Sequence, residues 1–206
     1  MITVLAAGFL LLAGPATVGV AAQTPAAPAG AAAARAKSTI ENFYSGLLGT
    51  MKQGDSLGFT GRVARLEPLV KDTFALSFMT RLIVGQKWES MDQGKRDAVL
   101  EAFTDWVVAT YANRFSSFDG EQFETGGVTD GGRGTVVVHT RIVPSDGSAV
   151  SLGYRMLDGK VIDVYLSGSV SQLANWRSEF SSIIDQHGVK GLIDRLNQKT
   201  KELAKP

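Results

Sequence analysis

The chain has 206 residues, 44% of them apolar, which suits one domain of ordinary size with a real core. Its formal charge is +1, so no strong field draws nucleic acid or an anionic membrane. It contains no cysteine, which excludes thiolate metal sites, cysteine nucleophiles and disulfides.

Residues 1–34 carry no charge. The apolar run 2–12 has the length of a signal-peptide core and is short for a membrane span. Val20-Ala21-Ala22 supplies small residues for cleavage before Gln23, so 1–22 reads as a signal peptide. The alternative is an uncleaved anchor, a marginal span reaching Ala22 and interrupted by Gly14 and Pro15. Cleavage is the favoured reading. Residues 23–35 are Pro/Ala-rich and read as a flexible leader, leaving 36–206 as the folded domain.

Ile40, Phe43, Tyr44, Leu47, Leu48 and Met51 recur at helical spacing and predict an amphipathic helix over 36–52, ended by Gly54 and Gly58. A second helical region covers 62–84. Pro68 and Asp72-Thr73 predict a bend, or two short helices, within it. A long helix is expected over 90–115, with a broad stripe of Val99, Leu100, Phe103, Trp106, Val107 and Tyr111. Aromatics at such spacing are individually best read as core.

Four strands follow, over 122–128, 135–143, 149–157 and 160–167. Val136, Val138, Thr140 and Ile142 share one face of the second. Val150, Leu152, Tyr154 and Met156 share one face of the third. Ile162, Val164 and Leu166 share one face of the fourth. The links Thr129–Gly134, Ser145-Asp146-Gly147-Ser148 and Asp158-Gly159 are hairpin chemistry, so the strands form an antiparallel meander. After a break at Gly168, Leu173, Trp176, Phe180, Ile183 and Ile184 return to helical spacing. Ser169 and Gln172 have the separation of a capping box. Two closing helices, over 170–186 and 189–201, are expected on either side of Gly188.

Asp163-Val164-Tyr165-Leu166-Ser167-Gly168, followed by Asn175-Trp176-Arg177-Ser178-Glu179-Phe180, resembles the MlaC (toluene-tolerance) family of periplasmic lipid-binding proteins. That family carries D-V-x-I-x-G-x-S and then N-Y-R-x-Q-F. Its pattern of leucine, proline, aromatic and Gly-x-x-Trp is similar to Leu66, Pro68, Phe74, Gly85 and Trp88. Its next helix is matched by Trp88, Gln93, Phe103, Val107 and Tyr111. The chain departs from the family in one extra residue between Gly168 and Arg177, and in Asp158-Gly159-Lys160-Val161 where a tryptophan usually precedes Asp-Val. Both departures resemble the hopanoid-associated branch.

The resemblance implies an α+β, NTF2-like (cystatin-like) domain: a four-stranded antiparallel sheet with amphipathic helices enclosing an apolar pocket. It implies a lipid carrier shuttling a phospholipid or a hopanoid between the outer and inner membranes. Its implied partners are an inner-membrane MCE-domain ABC transporter complex and an outer-membrane lipoprotein complex. Energy for directional transport would come from a partner, since no nucleotide-binding signature is present, and no cofactor is expected. Candidate lipid-lining residues are Phe74, Met79, Leu82, Trp88, Phe103, Val107, Tyr154, Ile162, Val164 and Leu166.

Catalysis is the weaker reading. His139 and His187 have no ligand neighbours at metal spacing, and no nucleophile elbow is present. Asp163 beside Tyr165 evokes the acid–tyrosine chemistry of NTF2-like isomerases. The simpler role for Asp163 is to bond backbone or Arg177 near the glycine turn. A ligand-free interaction module of the envelope is the third possibility.

Overall fold

A computed structural model describes residues 30–205. The expected signal peptide and residues 23–29 of the leader lie outside the described residues. The first helix, α1 (Gly30–Met51), begins six residues ahead of the expected start at 36. Ala31 to Ala34 account for this, because alanine is the strongest helix former.

Helix α1 ends as expected, but Gly54 starts a new helix instead of a loop. Helix α2 spans Gly54–Thr73, with a break at Gly58, whose φ of 60° is glycine territory. An alanine Cβ at Gly54 would lie 1.8 Å from the Ser116 carbonyl oxygen, so the backbone approach there requires glycine. Arg62 ties α2 down, donating from Nε to the Ala112 carbonyl at 2.8 Å and from Nη1 to the Gly54 carbonyl at 2.9 Å.

Pro68 lies inside α2 without breaking it. Pro68 and Ala64 both face solvent, so water can take the Ala64 carbonyl that the missing N–H leaves free. The expected division of this region falls after Thr73. Helix α3 (Leu76–Val84) follows, then a 3-10 turn over Gly85–Trp88. Helix α4 (Gln93–Arg114) is capped by Asp92, whose side chain accepts from the Lys95 N–H at 2.8 Å.

The sheet is an antiparallel meander in the order β1-β2-β3-β4-β5. Its strands are β1 (Gln122–Gly132), β2 (Thr135–Val143), β3 (Val150–Leu157), β4 (Lys160–Leu166) and β5 (Val170–Ser171). The first hairpin is tighter than expected, because β1 runs on to Gly132 and only Arg133 and Gly134 turn. Asp158 and Gly159 both have positive φ, the geometry that suits a two-residue hairpin. The β1 register shifts at Gly126-Gly127.

A second irregularity lies between β3 and β4, where Arg155 faces Asp163 but Met156 faces Val161. Ile162 is the extra residue, a bulge that removes it from the inner-face alternation. Val161 is fully buried in the main core in its place. Beside it, the α2–α3 connector takes the position of a missing strand. Phe74 forms a parallel bridge with Val161, and the Ala75 N–H donates to the Val161 carbonyl at 2.9 Å.

The final helix, α5 (Gln172–Leu203), is broken at Gly188 (φ 67°, ψ −177°), where two helices were expected. Its cap is Ser171, not Ser169. The Ser171 hydroxyl accepts from the Ala174 N–H at 2.9 Å. The capping-box spacing fails because Val170 and Ser171 first pair with Leu166 and Tyr165 as strand.

The helices cover one face of the sheet. Phe43 stands at the centre of the core, with ring centroids of Phe74, Tyr111 and Tyr154 at 5.4, 5.3 and 6.5 Å. A second aromatic group joins α4 to α5: Trp106 lies 5.2 Å from Trp176 and 5.5 Å from Phe180.

Candidate functional site

Helix α4, the sheet and helix α5 bound a partly open cavity of about 260 Å³. Helix α4 contributes Trp106, Val107, Thr110, Tyr111, Arg114 and Phe115. The sheet contributes Ile142, Val150, Leu152, Tyr154, Val164 and Leu166. The first turns of α5 add Gln172 and Trp176. Exposure gives the cavity a direction. Val107 and Tyr154 are buried at its floor, while Val150 (48% exposed) and Arg114 reach solvent at its rim.

The walls follow from local pattern. On α4, residues 106/107, 110/111 and 114/115 recur one turn apart and line up along one stripe. On β3, Leu152 and Tyr154 alternate inward, with Val164 opposite Tyr154 and Leu166 opposite Leu152 on β4. The bulge at Ile162 restores the inward face at Val161, so the wall continues into closed core.

The floor holds polar groups that remain neutral. Behind the lining, the Tyr44 hydroxyl and Thr140 Oγ1 are 2.7 Å apart. Burial pushes the Tyr154 hydroxyl well above its ordinary value, and the neighbouring Tyr111 and Tyr44 reinforce this. Tyr111 is also pushed up, chiefly by burial. Tyr111 and Tyr154, which line the cavity, carry no charge at physiological pH.

Of the ten candidate lining residues, Val107, Tyr154, Val164 and Leu166 line this cavity. Phe103 lies one layer behind it, 5.8 Å from Trp176 and 6.0 Å from Trp106. Met79 is closed core, and Ile162 is buried away from the main core by the bulge. Leu82 is partly exposed on α3. Phe74 and Trp88 instead line a separate open groove among α2, α3 and α4, together with Glu67, Asp97, Glu101 and Asp105. The other ten lining residues were not among the candidates, Thr110, Arg114, Phe115, Leu152 and Trp176 among them. Extending the α4 stripe by one turn toward its C-terminus would have found Arg114 and Phe115.

Asp163 does not face the cavity. Its Oδ1 accepts from the N–H groups of Val164 (2.8 Å) and Leu173 (2.9 Å), and its Oδ2 accepts from the Ser171 hydroxyl (2.6 Å). The expected backbone role is observed, and its side-chain partner is Ser171 rather than Arg177. The carboxylate anchors the start of α5 to β4 and is absent from the cavity lining.

The family model described as MlaC protein matches residues 41–198. Among solved structures, the chain is similar to a phospholipid-binding protein from Ralstonia solanacearum determined in complex with a phospholipid. The TM-score is 0.71 at 20% identity, over 82% of this chain and 99% of that one. At that identity the likeness concerns the fold. No curated protein matches the chain at significant similarity.

Proposed function

The chain belongs to the MlaC family, and from that premise we propose that it is a periplasmic carrier holding a membrane lipid between α4, α5 and the sheet. The observation that carries this reading is the apolar, aromatic-walled cavity with one solvent-facing rim. The bound phospholipid of the Ralstonia solanacearum protein, which shares the fold, supports it.

The task has a clear physical basis. Moving an acyl chain into water costs roughly 0.8 kcal/mol per CH₂, so a chain of about sixteen carbons loses on the order of 10 kcal/mol. A carrier removes that cost by offering a dry wall to the chain and leaving the head in solvent. The cavity of about 260 Å³ lies just below the range of roughly 300–1,000 Å³ usual for ligand pockets. Loading a lipid therefore involves widening. The Trp106–Trp176 pair between α4 and α5 is the seam that parts, since it forms one wall.

The candidate residues Val107, Tyr154, Val164 and Leu166 touch acyl chain in this reading. Phe103 supports them from behind. The partners are an inner-membrane MCE-domain ABC complex and an outer-membrane lipoprotein complex, between which the loaded carrier diffuses. The test is native mass spectrometry with lipid extraction on protein expressed with its own leader. A co-purifying diacyl phospholipid is expected. A bound triterpenoid would move the assignment to the hopanoid branch. A clean apo protein that also takes no lipid from vesicles would refute the carrier reading.

A further inference from the structure

Among the described residues lining the cavity, Arg114 is the only charged one. It sits in the last turn of α4, exposed at the rim, where the wall changes from aromatic to solvent. Among the described residues it takes part in none of the ion pairs. A cation is favoured at a helix C-terminus, which accounts for a basic residue here but not for its place on the rim. Gln172, from the first turn of α5, also lines the cavity and makes no side-chain hydrogen bond among the described residues. The cavity lining thus offers a guanidinium and a free carboxamide beside apolar and aromatic walls.

We propose that Arg114 binds the phosphate of the lipid headgroup, so that the cavity selects a phosphate-bearing lipid over a neutral one. The inference rests on the carrier reading and narrows it. A guanidinium matches phosphate oxygens with two parallel N–H donors, and Gln172 supplies a further donor. The adjoining apolar walls make the source of the phosphate a lipid rather than a free ion. A neutral triterpenoid or diacylglycerol fills the cavity but leaves both polar groups to water. The choice between phospholipid and hopanoid then turns on one side chain.

The experiment offers the apo protein an equimolar mixture of dipalmitoyl phosphatidic acid and dipalmitoylglycerol, which have the same chains with and without phosphate. Bound lipid is counted by native mass spectrometry. Wild type is expected to favour phosphatidic acid by about fivefold, the scale of a partly exposed ion pair with good geometry. Arg114→Gln should bring the ratio near one, chiefly through lost phosphatidic acid uptake, and Arg114→Lys should fall between. The preference should also shrink as salt is raised. An unchanged ratio in Arg114→Gln overturns the proposal and leaves the carrier reading intact. Inorganic phosphate alone blocking phosphatidic acid uptake at equal concentration overturns it too, by making the rim a free-anion site. If wild type takes up neither lipid, the carrier reading itself fails and this proposal with it.

Discussion

Replacing Asp163 separates its structural role from any chemical one. Its carboxylate is 6% exposed and accepts three hydrogen bonds, from the Val164 and Leu173 N–H groups and the Ser171 hydroxyl. In Asp163→Ala the Val164 N–H is left buried without a partner, at about 1–3 kcal/mol. The Leu173 N–H, one of the orphan donors of the first turn of α5, loses its cap at about 1 kcal/mol. The Ser171 hydroxyl loses its acceptor at about 1 kcal/mol. The expected loss is about 3–5 kcal/mol, read as a shifted urea midpoint with an unchanged slope.

Asp163→Asn behaves differently, for a geometric reason. Its remaining oxygen can keep both backbone donors, because both lie on Oδ1. Its new amide meets the Ser171 hydroxyl, which can turn to accept. The cost is then about 1–2 kcal/mol, mostly from exchanging charged for neutral hydrogen bonds. Since the carboxylate does not line the cavity, lipid loading should survive in Asn. An Ala variant within about 1 kcal/mol of wild type would refute the anchoring argument. Loss of lipid loading in a stable Asn variant would refute the claim that Asp163 acts away from the ligand.

Gly54→Ala places a Cβ against the Ser116 carbonyl and should destabilise by about 2–4 kcal/mol in denaturant melts, whereas Gly94→Ala, with only ordinary contact near Asp92, should be within about 0.5 kcal/mol. Tyr44→Phe removes the partner of the buried Thr140 hydroxyl and should cost about 1–2 kcal/mol; the double variant with Thr140→Val should recover part of that, giving a measurable coupling in a double-mutant cycle. Burial, then Glu101 and Glu67, push the Asp105 carboxyl above its ordinary value. A raised folded-state pKa means that protonated Asp105 favours the fold and that this stability is lost as pH rises through it. Asp105→Asn should therefore raise the melting temperature at pH 7, and the gain should disappear below the ordinary carboxylate range.

Periodicity exposed the elements whose burial is one-sided. The stripe of Ile40, Phe43, Tyr44 and Leu47 marks α1 because all four face the core. The Asp158-Gly159 turn was legible because only certain residues tolerate positive φ at both positions. Features set by tertiary partners were not legible. Nothing in the alternation of 160–167 reports the bulge at Ile162, because the bulge answers to the β3 register and to the Phe74 connector. Ser169 lost the capping role to Ser171 because strand pairing with Leu166 competed for the same residues. The lining set was only partly legible for a related reason. Met79, Phe103 and Val107 look alike as apolar helical residues, and which of them meets the cavity depends on how α3 and α4 rotate against their neighbours.

The irregular β1 strand bears on how the molecules keep apart from one another. As the outer member of the meander, it presents eleven residues of backbone with one side unpaired by any strand among the described residues. A flat edge of that length is a template on which a second copy can add its own strand and begin a stack. Here the register break at Gly126-Gly127 interrupts the row of donors and acceptors, and Glu124 and Asp130 place like charges along it. Two such edges brought together would meet out of step and with repelling carboxylates. The glycine pair, a poor choice for holding a strand straight, is a good one for keeping an open edge from being extended.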